Sequence, residues 1–478
     1  MPTPETKGAR LIPWVKERTP ITFPDVNLYR HAEGVLRAWY VMQGQKRHVI
    51  DFDLSGETPE LGVLAVAYRN NPTKQQQTLI IDQLSALSSN AGLLLNESRS
   101  HSVVLSDQGE HALEFTSAQL NASLWYARKL RGDAMSTLDY IENTQDYPQS
   151  EASKEILDVH KKIIDQLFEA AGITDSSEKG FLKWREEHSL SEEEAISMLE
   201  EESTESIRQK NKFLGRKIEP SFAIIPVHLN EYFWVWIDTD KKTGEFVMQQ
   251  NFGTESRPKP WTRGKVEELA KHEGGQHASR MAMRRHMIND RRAMSPFFGL
   301  TTVHGPEQIV EEGSAQALAL LLPGAFEKLS PEGRLQVYLS LYKQMVYGNA
   351  HLRINAEEPI SKDQFINYVK SHMPWEPVAE IEEQIKERTE NPLKQTYLRA
   401  YAEGAKIFLV VSDMLSDAGK KTLLGTLDLK PYTAKQLLKL VNKIMQNRRN
   451  TRMHMSKWAT EEYQLMIMGL EENALHNI

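Results

Sequence analysis

The chain has 478 residues, 40% hydrophobic and 26% charged, with 58 Lys and Arg against 65 Asp and Glu for a formal charge of -7. That length calls for two or three domains or one large enzyme unit, and the composition is globular. The acidic balance excludes a broad basic surface for nucleic acid, and the lack of any cysteine excludes disulfides, thiolate zinc sites, iron–sulfur clusters and a cysteine nucleophile.

The opening segment, MPTPETKGARLIPWVKERTP, has no apolar h-region, and no apolar run approaches bilayer length; IFLVV (Ile407–Val411) reads as a short core helix segment. The expectation is a cytoplasmic protein that engages neither membrane nor nucleic acid. Residues 1–150 form a mixed α/β region for packing or substrate shaping. Within it, Arg47–Leu54 and Leu61–Arg69 favour strands, while Thr78–Leu95 and Leu120–Leu130 favour helices. Residues 151–215 are helical and acidic. Ser153–Ile173 has helical periodicity, and the carboxylates Glu192–Glu194 read as charge at a helix N-terminus rather than a metal cage.

The pattern changes in residues 216–478. Ser221–Val227, Tyr232–Asp238 and Glu245–Phe252 read as strands, the last two joined by the hairpin signal TDKKTG. A long helical pattern follows from Arg263 to Met287, and the remainder reads as helices interrupted at Pro323, Pro359, Pro374, Pro392 and Pro431. An edge strand, Tyr232–Trp236 or Glu245–Phe252, could pair with an extended peptide. The predicted fold class is α+β, predominantly helical, with a small antiparallel sheet.

The chemistry is concentrated in KHEGGQHASR (Lys271–Arg280), where His272, Glu273 and His277 form H-E-x-x-x-H. Two imidazoles can ligate one zinc ion, and the glutamate beside the first can take a proton from an activated water. Peptidases using H-E-x-x-H place the histidines four apart on one helix face. A spacing of five separates them by about 140° on an ideal α-helix. The helix must therefore be distorted, and Gly274 and Gly275 lie where an unwound or π-bulged turn costs least. A third ligand is needed to complete the site, and Glu312 in VEEGSAQALALLL (Val310–Leu322) is the choice, with Glu311 as its supporting partner or the alternative ligand.

HEGGQHASR resembles the H-E-x-G-x-H-x-x-R signature of the tyrosine-carboxypeptidase-like zinc metallopeptidases, the glutamate-ligand group containing the tubulin tyrosine carboxypeptidases, with Gly275 and Arg280 on its glycine and arginine. Its E-E-G-L-A helix is matched by Glu311, Glu312, Gly313 and Ala315. Two departures stand out: Gln276 replaces the threonine before the second histidine, and Ser314 replaces the leucine. LKQTYLRAYAEG (Leu393–Gly404) is similar to the K-D-x-x-Y-L-x-G segment, with Tyr397 and Tyr401 competing for its tyrosine. A neighbouring group of zinc peptidases with a histidine-bearing helix and a Y-x-x-G helix is also similar, through His351 and Tyr401. The likeness covers about Phe222–Val411.

It implies a zincin-like catalytic domain holding one Zn2+ on His272, His277 and Glu312, with Glu273 as general base. Tyr397, Tyr401 or His351 would stabilise the oxyanion. A carboxypeptidase acting on a peptide or protein C-terminus also needs a cation for the terminal carboxylate. Arg280 and Arg353 are the candidates, with Arg284, Arg285, Arg291 and Arg292 near the first.

Overall fold

The computed structural model describes residues 50–53, 74–99, 107–218, 220–230, 234–239, 245–290, 298, 300–452 and 455–476. The predicted strand Leu61–Arg69, the hairpin turn after Thr239, and Arg291 and Arg292 lie outside them. Within them the protein is predominantly helical with small sheets, as its composition of amphipathic segments and sparse β-branched runs requires. None of the described helices is long and apolar enough to cross a membrane.

Residues Phe222–Val227, Val235–Thr239 and Phe246–Asn251 form a three-stranded sheet with Phe246–Asn251 in the centre. The hairpin partners run antiparallel, with Ile237 opposite Met248. The first strand instead pairs parallel to the centre, Ile224 opposite Met248, so the sheet is mixed rather than antiparallel. The centre strand is inserted between its two predecessors, and because a short link reverses the chain between Val227 and Val235, one of its neighbours is parallel to it. Both edges of Phe246–Asn251 are consequently occupied, and it cannot serve as a peptide-binding edge. Val235–Thr239 is an edge strand among the described residues.

Alternation along the strands buries Val235, Ile237, Phe246 and Met248, and these pack with Trp261 and with Val266, Leu269, Ala270, Ala278 and Met281 of the helix that follows it. The same core takes in Ala195 and Leu199 from the helix Glu192–Leu214. That helix starts with a capping box between Ser191 and Glu194, so the acidic run sits at a helix N-terminus as its sequence indicated. Its later turns, Ser203, Ser206 and Lys210, are buried against the histidine-bearing helix.

The largest core joins Ile156, Ile164 and Phe168 to the apolar faces of Pro331–Ile354 and Pro392–Met414. IFLVV lies wholly inside it. A third core is built by the helices Lys74–Arg99 and Asp107–Arg131 with Ile288, Phe298, Val303 and Leu393, and the Tyr397 ring packs against it. The strand Ile50–Asp53 pairs antiparallel with Leu300–Thr302. The N-terminal region thus buttresses the side of the molecule that carries Tyr397.

Candidate metal centre

Thr262 caps the helix that begins at Arg263, its hydroxyl accepting from the Lys265 N–H. After Leu269 the hydrogen bonding changes to a nine-residue π-helix, Ala270–Ala278, before α-helix resumes at Ser279. Closing each turn over i→i+5 brings residues five apart back to one side, which the α-helical register forbids. The spacing of five between His272 and His277 is thereby accommodated.

The glycines between them lie inside this π-helix, where the sequence placed the distortion, and they also meet a packing need. Neither has a positive φ. A Cβ on Gly274 would lie 2.5 Å from the Ser203 Cβ, and one on Gly275 would lie 2.7 Å from Leu318 Cδ2. They permit close approach of neighbouring helices without a left-handed backbone conformation.

Glu312 arrives from the helix Gln308–Gln316. This helix crosses Pro392–Met414 at a glycine contact: a Cβ on Gly313 would lie 2.5 Å from the Gly404 Cα. The two backbones touch there, placing the carboxylate of Glu312 beneath the phenols of Tyr397 and Tyr401.

His272, His277 and Glu312 converge in a buried cluster, each offering one ligand atom. His272 Nε2 lies 3.2 Å from His277 Nε2 and 3.3 Å from Glu312 Oε2, and His277 Nε2 is 3.7 Å from Glu312 Oε2. A tetrahedral zinc with bonds of about 2.0–2.1 Å sets its ligands about 3.3–3.4 Å apart, so this triangle has the size of one tetrahedral face. Glu312 Oε2 is buried without a hydrogen-bond partner among the described residues, while Oε1 accepts from the Tyr397 hydroxyl at 2.9 Å. An unpaired buried carboxylate oxygen facing two imidazole nitrogens fits a cation.

The electrostatics agree. Burial alone would depress His272, but the Glu312 carboxylate 3.3 Å away and the charge of Glu273 push it up to about 9. Burial would raise Glu312, yet its two histidine partners hold it well below the usual carboxylate range. Glu273 lies outside the triangle, 3.9 Å from His272 Nε2, and is raised by burial. It keeps 13% of its side chain exposed against 4% for Glu312, so of the two carboxylates it is the one within reach of an arriving molecule.

Other sequence-derived candidates fall elsewhere. Glu311 turns away from the triad, where Arg280 and Arg284 grip it, the latter at 2.6 Å, and hold it well below the carboxylate range against its burial. Glu312, not Glu311, is therefore the carboxylate brought to the histidines. Arg280 is turned to this network, since it also donates to Ser314 at 2.6 Å and approaches Asp428 at 3.6 Å. Arg353 forms a bidentate pair with Glu151 at the surface. Neither arginine is placed to hold a substrate carboxylate at the triad. Arg285 lies over the Phe246 ring. His351 is completely buried among the positive charges of Arg388 and Arg399, which with burial hold it well below its usual value. Arg399 projects from the helix face opposite Tyr401, two residues away, so His351 is not brought to the triad. Tyr397 and Tyr401 are brought there, their hydroxyls 3.0 Å apart.

A polar network beneath the triad went unseen in the sequence. Lys210 donates to Gln276 at 2.7 Å, Ser279 at 2.8 Å and Asp428 at 2.9 Å, and burial draws it down to about 8. Gln276 in turn donates to Ser314 at 3.0 Å, so the two departures from the resembled signature are hydrogen-bonded to each other. The small residues Ser203 and Ser206, one helical turn apart in an acidic helix, were the available signal of a packed face.

Comparison with protein families gives no match, and neither does comparison with curated protein sequences. Among solved structures the chain is similar to the "putative lipoprotein from Colwellia psychrerythraea", at 13% identity and a TM-score of 0.49, over 79% of this chain and 70% of that one. What the site itself defines is a buried His-His-Glu group of the HExxxH type that could hold one metal ion.

Proposed function

We propose that the protein is a zinc-dependent metallopeptidase with His272, His277 and Glu312 as ligands. The observation that carries this reading is Glu273, a partly accessible carboxylate 3.9 Å from a ligand nitrogen yet outside the ligand triangle. A site for storage or structure has no use for such a group. Zinc bound there supplies Lewis acidity toward a water and a scissile carbonyl.

Glu273 accepts the proton of the attacking water and delivers it to the leaving nitrogen. Its raised affinity for protons, caused by burial, suits a base that must hold the proton between the two events. Tyr397 donates to Glu312 Oε1, which aims Oε2 at the histidines. Tyr401 donates to Tyr397 and is then the hydroxyl that can turn toward a developing oxyanion. The edge strand Val235–Thr239, in the core shared with the histidine-bearing helix, suits an extended peptide. The C-terminus of a peptide or protein is the proposed substrate, on the resemblance of the motifs, and the cytoplasm the proposed compartment, on the cysteine-free composition.

The test is hydrolysis of a panel of peptides and N-acylated amino acids by wild type and Glu273→Gln, with and without chelator. Chelator-sensitive release of C-terminal residues, lost in Glu273→Gln at unchanged zinc content, is expected. Cleavage of acylated amino acids alone would move the protein to a non-peptide amidohydrolase, and turnover undiminished in Glu273→Gln would remove the mechanism.

A further inference from the structure

We propose that Lys210 is a positioning residue for the metal centre, acting through Gln276 and Ser314 to fix the helix of His277 against the helix of Glu312. The inference rests on the metal-site reading above and concerns side chains whose hydrogen bonds go to none of the three ligands.

Lys210 comes from the helix Glu192–Leu214 and is 1% exposed. An ammonium has three protons to donate and no acceptor capacity, and all three are used, on Gln276, Ser279 and Asp428. Gln276 and Ser279 flank His277 in the chain, so a single ammonium grips the backbone turn that carries this ligand. The contact also orients the Gln276 amide. Only its oxygen can face a lysine, so its NH2 must point the other way, where it meets Ser314 Oγ at 3.0 Å. Ser314 lies two residues after Glu312 and donates to the Val310 carbonyl at 2.6 Å, holding it in its own helix. Arg280 Nη2 donates to the same hydroxyl at 2.6 Å. A continuous chain, Lys210 to Gln276 to Ser314, thus links the two ligand-bearing helices beneath the triad.

Stability alone gives little reason for a buried lysine here. A buried charge is costly to desolvate, and apolar replacements of similar volume are often neutral or stabilising. Removing Lys210 would not strand its carboxylate partner, because Asp428 also accepts from Arg216 at 2.7 Å and lies 3.6 Å from Arg280. The position of the amide is what the lysine uniquely sets.

The experiment compares wild type, Lys210→Met, Gln276→Leu and the double variant. It reads zinc affinity by chelator competition, the visible d–d bands of the cobalt-substituted protein, and the melting temperature without metal. Each single variant is expected to bind zinc about 10- to 100-fold more weakly and to shift the cobalt bands, with little change in metal-free melting temperature for Lys210→Met. The double variant should be no worse than the weaker single one, because both interrupt one chain. Wild-type zinc affinity and cobalt bands in Lys210→Met would overturn the proposal and leave the metal site standing. So would strictly additive losses, or a defect in Lys210→Met with none in Gln276→Leu. If Lys210→Met does not fold, unchanged cobalt bands in Gln276→Leu overturn the proposal by themselves. A wild type that binds neither zinc nor cobalt removes the metal-site reading and this inference with it.

Discussion

His272 and His351 are both buried on helices of the C-terminal half, and their surroundings drive them in opposite directions. His272 faces Glu273 and Glu312 and is pushed up to about 9, whereas His351 faces Arg388 and Arg399 and sits well below its usual value. His304, with Ser123 beside it and a purely desolvating environment, falls to about 3. Burial is common to all three; the sign of the neighbouring charge is not. A buried histidine becomes a metal or proton site when carboxylates confront it, and remains a neutral packing residue when cations or apolar groups do.

The contrast can be broken most sharply at the triad. His277→Ala and Glu312→Ala should each lose the metal, taking zinc from about one per chain to none by elemental mass spectrometry; retention of full zinc by either would end the assignment. Glu273→Gln, next in effect, should keep zinc and lose turnover by orders of magnitude.

Glu311→Ala separates the two adjacent glutamates. Leaving Arg280 and Arg284 without their shared carboxylate should lower stability by about 3–5 kcal/mol in denaturant unfolding, with zinc stoichiometry unchanged. Zinc lost from this variant and kept in Glu312→Ala would exchange their roles.

The pH dependence sharpens the comparison further. In the metal-free protein His272 binds its proton more tightly when folded than when unfolded. That stabilisation is complete below about 6.5 and is lost as pH rises through about 9. Zinc must displace the proton, so its apparent affinity should keep climbing up to about pH 9. A plateau already reached near pH 6.5, seen in competition titrations, would contradict the anionic setting of the site. His351→Leu carries the smallest expected effect. Both ring nitrogens lack hydrogen-bond partners among the described residues, so zinc content should not change and stability should shift by less than about 1.5 kcal/mol. A loss of zinc there would return His351 to the site.

Local signals served the sequence reading well and pairwise geometry between distant segments did not. The five-residue spacing required a distorted helix, and a π-helix is what forms from Ala270 to Ala278. The acidic run at Glu192–Glu194 was legible because helix-terminal charge is decided within a single turn. The centre position of Phe246–Asn251 was not, because alternation within a strand carries no information on which strands pair with it. Arg280 looked available for a substrate because nothing in its own segment reveals that Glu311 and Ser314 would occupy it.

The sequence by itself determined the chemistry on offer: two imidazoles and a neighbouring carboxylate on one helix, a glutamate before a glycine on another, two tyrosines a turn apart on a third, and no thiol anywhere. These follow from residue type and short spacing, which covalent geometry and helix periodicity translate directly. The tertiary structure alone decided which glutamate meets the histidines, that Tyr397 holds Glu312, and that Lys210 and Ser314 join the site's support. Those outcomes depend on contacts between segments tens to hundreds of residues apart. They are set by helices that approach closely where Gly274, Gly275, Gly313 and Gly404 leave room.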